Sequence, residues 1–543
     1  MEAHPPRAPS ADGGLFASPG LSSAADLLDG VATRLARWDH DFQGRRTSRL
    51  RPAVRLEALA LARAFAMKAG SPLANLPAFE GAAPRLVVAG HQPELFHPGV
   101  WVKNFAASAI AERSGAVALN LIVDNDLPKG VSLRVPHADG ETLRIQRVEF
   151  DVWQGEIPYE DYRVTDEALF ASFAERVRQT LPQAIEDPLI EGFWPRAVAA
   201  RTLTDRVGLR FAMARHGVEA DWGVNNLEVP LSAICESEGF LWFACHVLAH
   251  LPRFRQIHND ALGRYRALHG IRSRHHPVAA LGVHGDWFEA PFWVWRATTR
   301  RRRPLLIRQR SQTMELRIGG EDQTLLEIPL SPDREACCAV ERLLTLPVQG
   351  VRLRTRALTT TMFARYLLGD LFLHGIGGAK YDELGDEIAR RFLGFDPPPY
   401  LTLSMTLMLG LPSDPNAASR LAAVDQTLRD LTFNPDRHLE GPLDGETLRL
   451  IEAKRSAIAG PVETHSQRVE RFRELRRCNE ALASKVRELR ASHLAERDRL
   501  KAAVRNDALA RSREYAIVLH SARKLRRSMT DVMRDLNDRH DST

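Results

Sequence analysis

The chain has 543 residues, 44% of them hydrophobic and 26% charged, close to the averages of folded globular proteins and too apolar for a chain dominated by disorder. Its 74 basic and 68 acidic residues leave a net charge of +6, a modest excess that points to anionic small-molecule sites on a mixed surface rather than to a nucleic-acid partner. Five cysteines without CxxC spacing argue against a disulfide framework or zinc knuckle and suit a reducing cytoplasm, while apolar runs such as 240–247 and 401–411 are too short or interrupted to cross a membrane.

At this length two or three domains are expected. Residues 1–21, with early Glu and Pro and no apolar stretch, read as a disordered tail and not as a secretion signal. Residues 22–84 read as a helical segment, with Leu27, Leu28, Val31 and Leu35 and then Leu56, Leu59, Leu61 and Phe65 at helical spacing, closed by a Pro/Ala/Gly-rich linker from Ser71 to Pro84.

From Arg85 the pattern becomes that of an α/β core, assigned to residues 85–455. A short buried strand at 86–89 is followed by a glycine-bounded loop, a helix over 100–113 that Gly115 can cap, and a second buried strand at 117–123. Such a β-α-β unit builds a parallel sheet and places ligands beyond the carboxyl ends of its strands. Residues 154–310 read as an insertion or second lobe. It holds helices over 166–181 and 238–251, and strand-like 292–295 pairs through a basic turn with 305–307. Residues 357–373 have helical spacing, Gly375 breaks it, a helix resumes over 382–392, and 400–407 is strand-like. Residues 456–543 form a charged helical arm. Leu475, Leu482 and Leu489, with Phe472 and Val486, share a heptad seam that is lost by Leu500 and Val504, so a coiled coil or a folded-back hairpin is expected.

Three constellations can carry chemistry. The loop Gly90-His91-Gln92-Pro93-Glu94-Leu95-Phe96-His97-Pro98-Gly99 gathers two imidazoles, an amide and a carboxylate between strand and helix, with Lys103 just inside that helix. Glycines let the backbone approach a ligand, and a helix N-terminus favours an anion. The alternative is an ordinary connection with incidental histidines. Asp124-Asn125-Asp126, at the end of the next strand, can hold a cation, a substrate amine or sugar hydroxyls, or can simply be a solvated turn. In His374-Gly375-Ile376-Gly377-Gly378-Ala379-Lys380-Tyr381-Asp382, backbone amides of Gly375, Gly377 and Gly378 can cradle phosphate beside Lys380. That turn falls between two helical patterns, not after a strand, so a glycine helix C-cap is its alternative. His246 and His250 share a helix face without the Glu of a zincin motif, so this pair is not read as a metal site, and the sequence leaves any metal requirement open. Arg300 to Arg303 reads as a solvated turn, and Trp293 and Trp295 as core packing.

Residues 87–105, VVAGHQPELFHPGVWVKNF, resemble the signature loop of the bacillithiol-biosynthesis cysteine-adding enzymes. Gly90, Gln92, Leu95, Phe96 and Lys103 match, and His91 stands where that family usually has Gln. Asp124 and Asp126 fall in the segment where the family is acidic, without its His, and the glycine turn at 375–378 resembles a later family turn but lacks its Pro and Glu. The resemblance implies a Rossmann-like core, connecting segments and a helical arm that makes a homodimer. It also implies a cytoplasmic ligase joining the cysteine carboxyl group to the amine of an amino-sugar conjugate, with ATP or another nucleotide. His91, Gln92, His97, Asp124 and Asp126 would be its catalytic residues, and Gly90, Lys103, Gly375, Gly377, Gly378 and Lys380 would hold the nucleotide, His91 ahead of His97 as the base. The alternatives are a diverged transferase on the same scaffold, or a non-catalytic scaffold whose basic C-terminal helices bind nucleic acid. No membrane partner is expected.

Overall fold

Six strands form a mixed sheet in the spatial order Leu15–Ser18, Tyr400–Met405, Leu371–His374, Leu86–His91, Val117–Ile122, Leu227–Pro230. Five of them are parallel, and Leu15–Ser18 adds an antiparallel edge. This is the architecture of a computed structural model that describes residues 6–75, 79, 82–273 and 278–538.

Alternation along the strands feeds two cores, one on each face. Leu86, Val88, Leu119, Leu121, Leu227 and Val229 pack on one side, and Val87, Ala89, Ala118, Leu371, Leu373, Leu401 and Leu403 on the other. Helix Pro98–Arg113 covers the second face, crossing from Leu86–His91 to Val117–Ile122 as the sequence pattern predicts, and Gly115 follows it at φ +58°. Helix Ile376–Leu393 makes the equivalent crossover from Leu371–His374 to Tyr400–Met405.

Several boundaries differ from those expected. Composition assigns residues 1–21 to a tail, but Leu15–Ser18 pairs with Tyr400–Met405 in the core sheet; residues 1–5, like 76–78 and 80–81 of the expected linker, lie outside the described residues. The stretch 154–310 is not a separate insertion, because Leu227–Pro230 within it is a core strand. The expected strand pair is there, as Trp287–Arg296 against Arg303–Gln309, but it belongs to a second, antiparallel sheet that runs on to Val351–Thr355. The largest correction concerns 357–373. The helix ends at Phe363, a single π turn follows, and Leu371–His374 is a buried strand. The glycine turn therefore does follow a strand, and it opens a helix rather than capping one.

The helical arm begins earlier than residue 456. Helix Ala417–Phe433 packs on Arg487–Ala510, and Gly445–Ala459 on His465–Ala483. Leu482 and Val486 of the expected seam are buried, whereas Phe472 is exposed. The last helix, Ala522–Asp538, returns to the core and lies against Pro98–Arg113, burying Leu525, Met529, Val532 and Leu536 at helical spacing.

Candidate functional site

Numbering the five parallel strands in chain order, their spatial order is 5-4-1-2-3, so the direction of winding reverses between Leu86–His91 and Leu371–His374. Ligands of open α/β sheets bind in the crevice at such a reversal, outside the carboxyl ends of the strands. A cleft of about 1120 Å³ lies there, lined by Gly90, His91, Gln92, His97 and Lys103 from the first loop, Asn125 and Asp126 from the second, and Gly375, Gly377, Gly378 and Lys380 from the third. The three constellations of the sequence thus converge on one site.

The first loop is fixed from inside. His91 is half-buried in the cleft wall and meets Phe96 edge to face at 5.2 Å. Its Nδ1 is 3.1 Å from the Gln92 carbonyl oxygen, which can only accept, so Nδ1 carries the proton and Nε2 the lone pair. Burial first, and then the nearby Lys103 ammonium, pull its pKa down to about 3, so the ring is neutral at physiological pH. His97 caps helix Pro98–Arg113, its Nδ1 accepting from the Gly99 amide at 3.1 Å, and burial lowers its pKa as well. Gly99 has no room for a side chain: a Cβ there would stand 2.5 Å from the Met405 carbonyl oxygen and 2.8 Å from Ser404 Oγ.

Lys103 lies at the cleft floor, 3% exposed, donating to the Gly90 carbonyl oxygen at 2.9 Å; burial lowers its pKa to about 8. Gln92 Nε2 donates to Asp126 Oδ2 at 2.8 Å and so ties the first loop to the second. The second sheet closes the cleft from above. Arg302 donates to Asp126 Oδ1 at 2.9 Å, and Arg302 and Arg356 lie over the ring of Trp293 at 5.1 and 4.1 Å. Arg356 is also paired with Glu289 at 2.7 Å.

Asp124 does not belong to the site. Its carboxyl is buried away from the cleft, accepting from the Ser232 amide at 2.8 Å and the Ser232 hydroxyl at 2.5 Å, and burial raises its pKa to about 7. Its part is structural. Arg302, Arg356, Trp293 and Arg513 line the cleft and were not singled out as site residues by the sequence; His374, named there with the third loop, lines it too. The Arg300 to Arg303 turn, read as solvated, contains one of them. Trp295 is buried as expected, but Trp293 faces the cleft.

Among the described residues, seven Lys and Arg side chains line the cleft against Asp126 and Glu514, a balance that selects an anionic ligand. The third loop suits a phosphate in particular. Gly375 caps helix Ile376–Leu393 without a side-chain hydrogen bond, and the first helical bond runs from the Ala379 amide to the Gly375 oxygen at 3.0 Å. The amides of Ile376, Gly377 and Gly378 thus lack helical partners at the positive end of the dipole. Among the described residues, no group of three or more His, Cys, Asp or Glu side chains is arranged to hold a metal ion, and no helix is long and apolar enough to cross a membrane. No protein-family model matches the chain, and no curated protein does.

Proposed function

We propose that this cleft is the active site of a cytoplasmic carbon–nitrogen ligase of the cysteine-adding type, joining the cysteine carboxyl group to the amine of an amino-sugar conjugate at the expense of a nucleotide. The observation that carries the proposal is the convergence of the 90–99, 124–126 and 375–380 loops on one cationic cleft at the reversal of strand order. That order is the one used by Rossmann-like nucleotide-binding sheets, which supports the same fold reading.

Condensing a carboxylate with an amine releases water, and in an aqueous cell the carboxyl must first be activated. The residues fit that demand. Uncapped amides of Ile376, Gly377 and Gly378, with Lys380 and Arg356, would hold the phosphates of ATP or another nucleotide, which when bound supplies the leaving group. Lys103 offers a positive charge at the cleft floor beside the acyl centre. Neutral His91 presents its Nε2 lone pair to the attacking amine and orients it. With a pKa of about 3, it is a poor proton acceptor, which weakens the expectation that it is the base.

The test is product formation. Purified protein incubated with cysteine, an amino-sugar malate and ATP is expected to yield a species of the two substrates' summed mass less one water, with the nucleotide cleaved, and only when all three are present. Nucleotide binding without that product for any amine of the class would favour a transferase.

We further propose that the helical arm joins two copies of the chain. Phe433, Leu448, Ile458 and Phe472 are 50–65% exposed and lie outside the arm's small core of Val424, Leu428, Leu431, Val486 and Leu500, which supports a second copy covering them. Light scattering after gel filtration is expected to give twice the chain mass for the unaltered protein and the single mass for Phe472→Asp; a monomeric unaltered protein would refute the pairing.

A further inference from the structure

His374 ends the strand Leu371–His374 and is 5% exposed, yet it forms part of the cleft wall. Its Nε2 stands 2.6 Å from Asp382 Oδ2. Asp382 lies two turns into the helix that follows, and Arg365 also donates to the same oxygen at 2.6 Å. Burial alone would raise the pKa of Asp382, but the His374 and Arg365 partners hold it down at about 2. The carboxylate is therefore ionised and can only accept, so His374 Nε2 carries a proton. When the ring is neutral, Nδ1 is left with the lone pair.

Among the described residues, that second nitrogen has no hydrogen-bond partner. It lies against the first turn of helix Ile376–Leu393, where a Cβ at Gly378 would stand 2.6 Å from it. Glycine at 378 is thus what makes room for the imidazole. The same turn carries the uncapped amides of Ile376, Gly377 and Gly378, with Lys380 beyond them. A buried imidazole with one unbonded nitrogen and the positive end of an 18-residue helix meet at one end of the cleft.

We propose that this end of the cleft is a subsite for a tetrahedral dianion of the phosphate class, in which His374, backed by Asp382, takes up a proton on Nδ1 as the anion binds. The cationic ring then donates to an anion oxygen while the helix amides donate to the others, and the Asp382 carboxylate offsets the charge gained. The groups that bear on this proton are Asp382 and Lys380 from the following helix, and Arg365 from the preceding turn, itself shared with Asp386 at 2.5 Å. Tyr400 of the neighbouring strand meets the ring edge to face at 5.0 Å. The site deepens the ligase proposal by assigning the phosphate end of the ligand and its proton-transfer group. It rests on that proposal only in taking a nucleotide as the source of the phosphate.

The test is calorimetry on the full-length protein with sulfate, inorganic phosphate, ADP and adenosine, each in two buffers of different ionisation enthalpy at pH 7.5. Sulfate cannot be protonated at that pH, so a buffer-dependent heat on sulfate binding reports a proton taken up by the protein. Sulfate, phosphate and ADP are expected to bind with proton uptake, and adenosine not to bind. His374→Gln is expected to abolish the uptake and weaken the dianions roughly ten- to a hundredfold, the usual scale for a hydrogen bond to a charged group. Gly378→Ala, which leaves the imidazole in place but crowds it, is expected to act in the same direction. Asp382→Asn should lose most of the uptake.

Absence of sulfate and phosphate binding to the unaltered protein overturns the subsite, as does uptake that persists in a folded His374→Gln. Binding of ADP but of neither free dianion likewise overturns it, and places the nucleotide on other contacts. These outcomes remove the phosphate contacts given to the third loop but not the ligase reaction itself, which fails separately if no amide product forms.

Discussion

Replacing Lys103 with methionine is expected to make the protein more stable at pH 7 and to abolish ligand binding in the cleft. Lys103 is almost wholly buried with one hydrogen bond, to the Gly90 carbonyl oxygen. Burial holds its folded-state pKa at about 8 against an ordinary 10.5. A lowered lysine pKa means that the unfolded chain binds the proton more tightly than the native one. The cost to stability is therefore complete below pH 8 and fades as pH rises towards 10.5. At about 1.4 kcal/mol per pKa unit the charged lysine costs on the order of 3 kcal/mol at pH 7. Methionine removes that cost and forgoes one hydrogen bond worth about 1 kcal/mol, a net gain of about 2 kcal/mol. Urea unfolding is expected to show the gain at pH 7 and to show most of it gone at pH 10. A Lys103→Met protein less stable than the parent at pH 7 would mean that the ammonium has a structural partner in the native fold. A residue that lowers stability while lining a cleft is the pattern of a group kept for its chemistry.

Arg354→Leu is expected to cost about 3–5 kcal/mol, the usual loss when one partner of a buried ion pair is removed. Arg354 grips both oxygens of Glu160 at 2.8 and 2.7 Å and one oxygen of Glu236 at 2.7 Å, and both Arg354 and Glu160 are buried. The pair joins the second sheet to the segment that holds the second loop. The Glu160 amide donates to the Asp124 oxygen at 2.7 Å, and the Tyr159 amide to the Asp126 oxygen at 2.9 Å. Loosening it should therefore weaken ligand binding as well as stability. The double variant with Glu160→Leu should recover most of the loss, because no unpaired charge is then left buried. Denaturant melts of the two variants decide it: a single variant as stable as the parent would show that the pair holds nothing in place.

The central β-α-β unit was legible because two buried strands and a helix in sequence carry distinct periods, and the glycines at 90, 99 and 115 punctuate them. Leu371–His374 was not. Leu371, Phe372 and Leu373 after a helix continue its apolar spacing, and only pairing with Leu86–His91 and Tyr400–Met405 makes them a strand. That one substitution of strand for helix hid the reversal of strand order and the nature of the glycine turn. Leu15–Ser18 escaped for a similar reason: a four-residue edge strand owes its existence to a partner nearly 400 positions away in the chain. Within the site, loop composition pointed to His91, Gln92, Asp126 and the 375–380 turn. It could not separate Asp126, which faces the cleft, from Asp124, which turns inward to Ser232, because that choice is made by tertiary partners. Nor does a basic turn announce that Arg302 folds over Trp293. The His374–Asp382 spacing of eight residues matches no short motif and gains meaning only when a strand end and a helix are set side by side.

The most direct measurement is a calorimetric titration of ADP and of cysteine into the unaltered protein and three variants, Gln92→Ala, Arg302→Ala and Lys380→Ala. They take one side chain each from the first loop, the second sheet over Asp126, and the third loop. If one cleft binds one set of substrates, the unaltered protein binds both ligands, and each variant weakens at least one of them while keeping its fold by circular dichroism. Unchanged affinities in all three variants, or no binding to the unaltered protein, would contradict the assignment of this cleft as the active site.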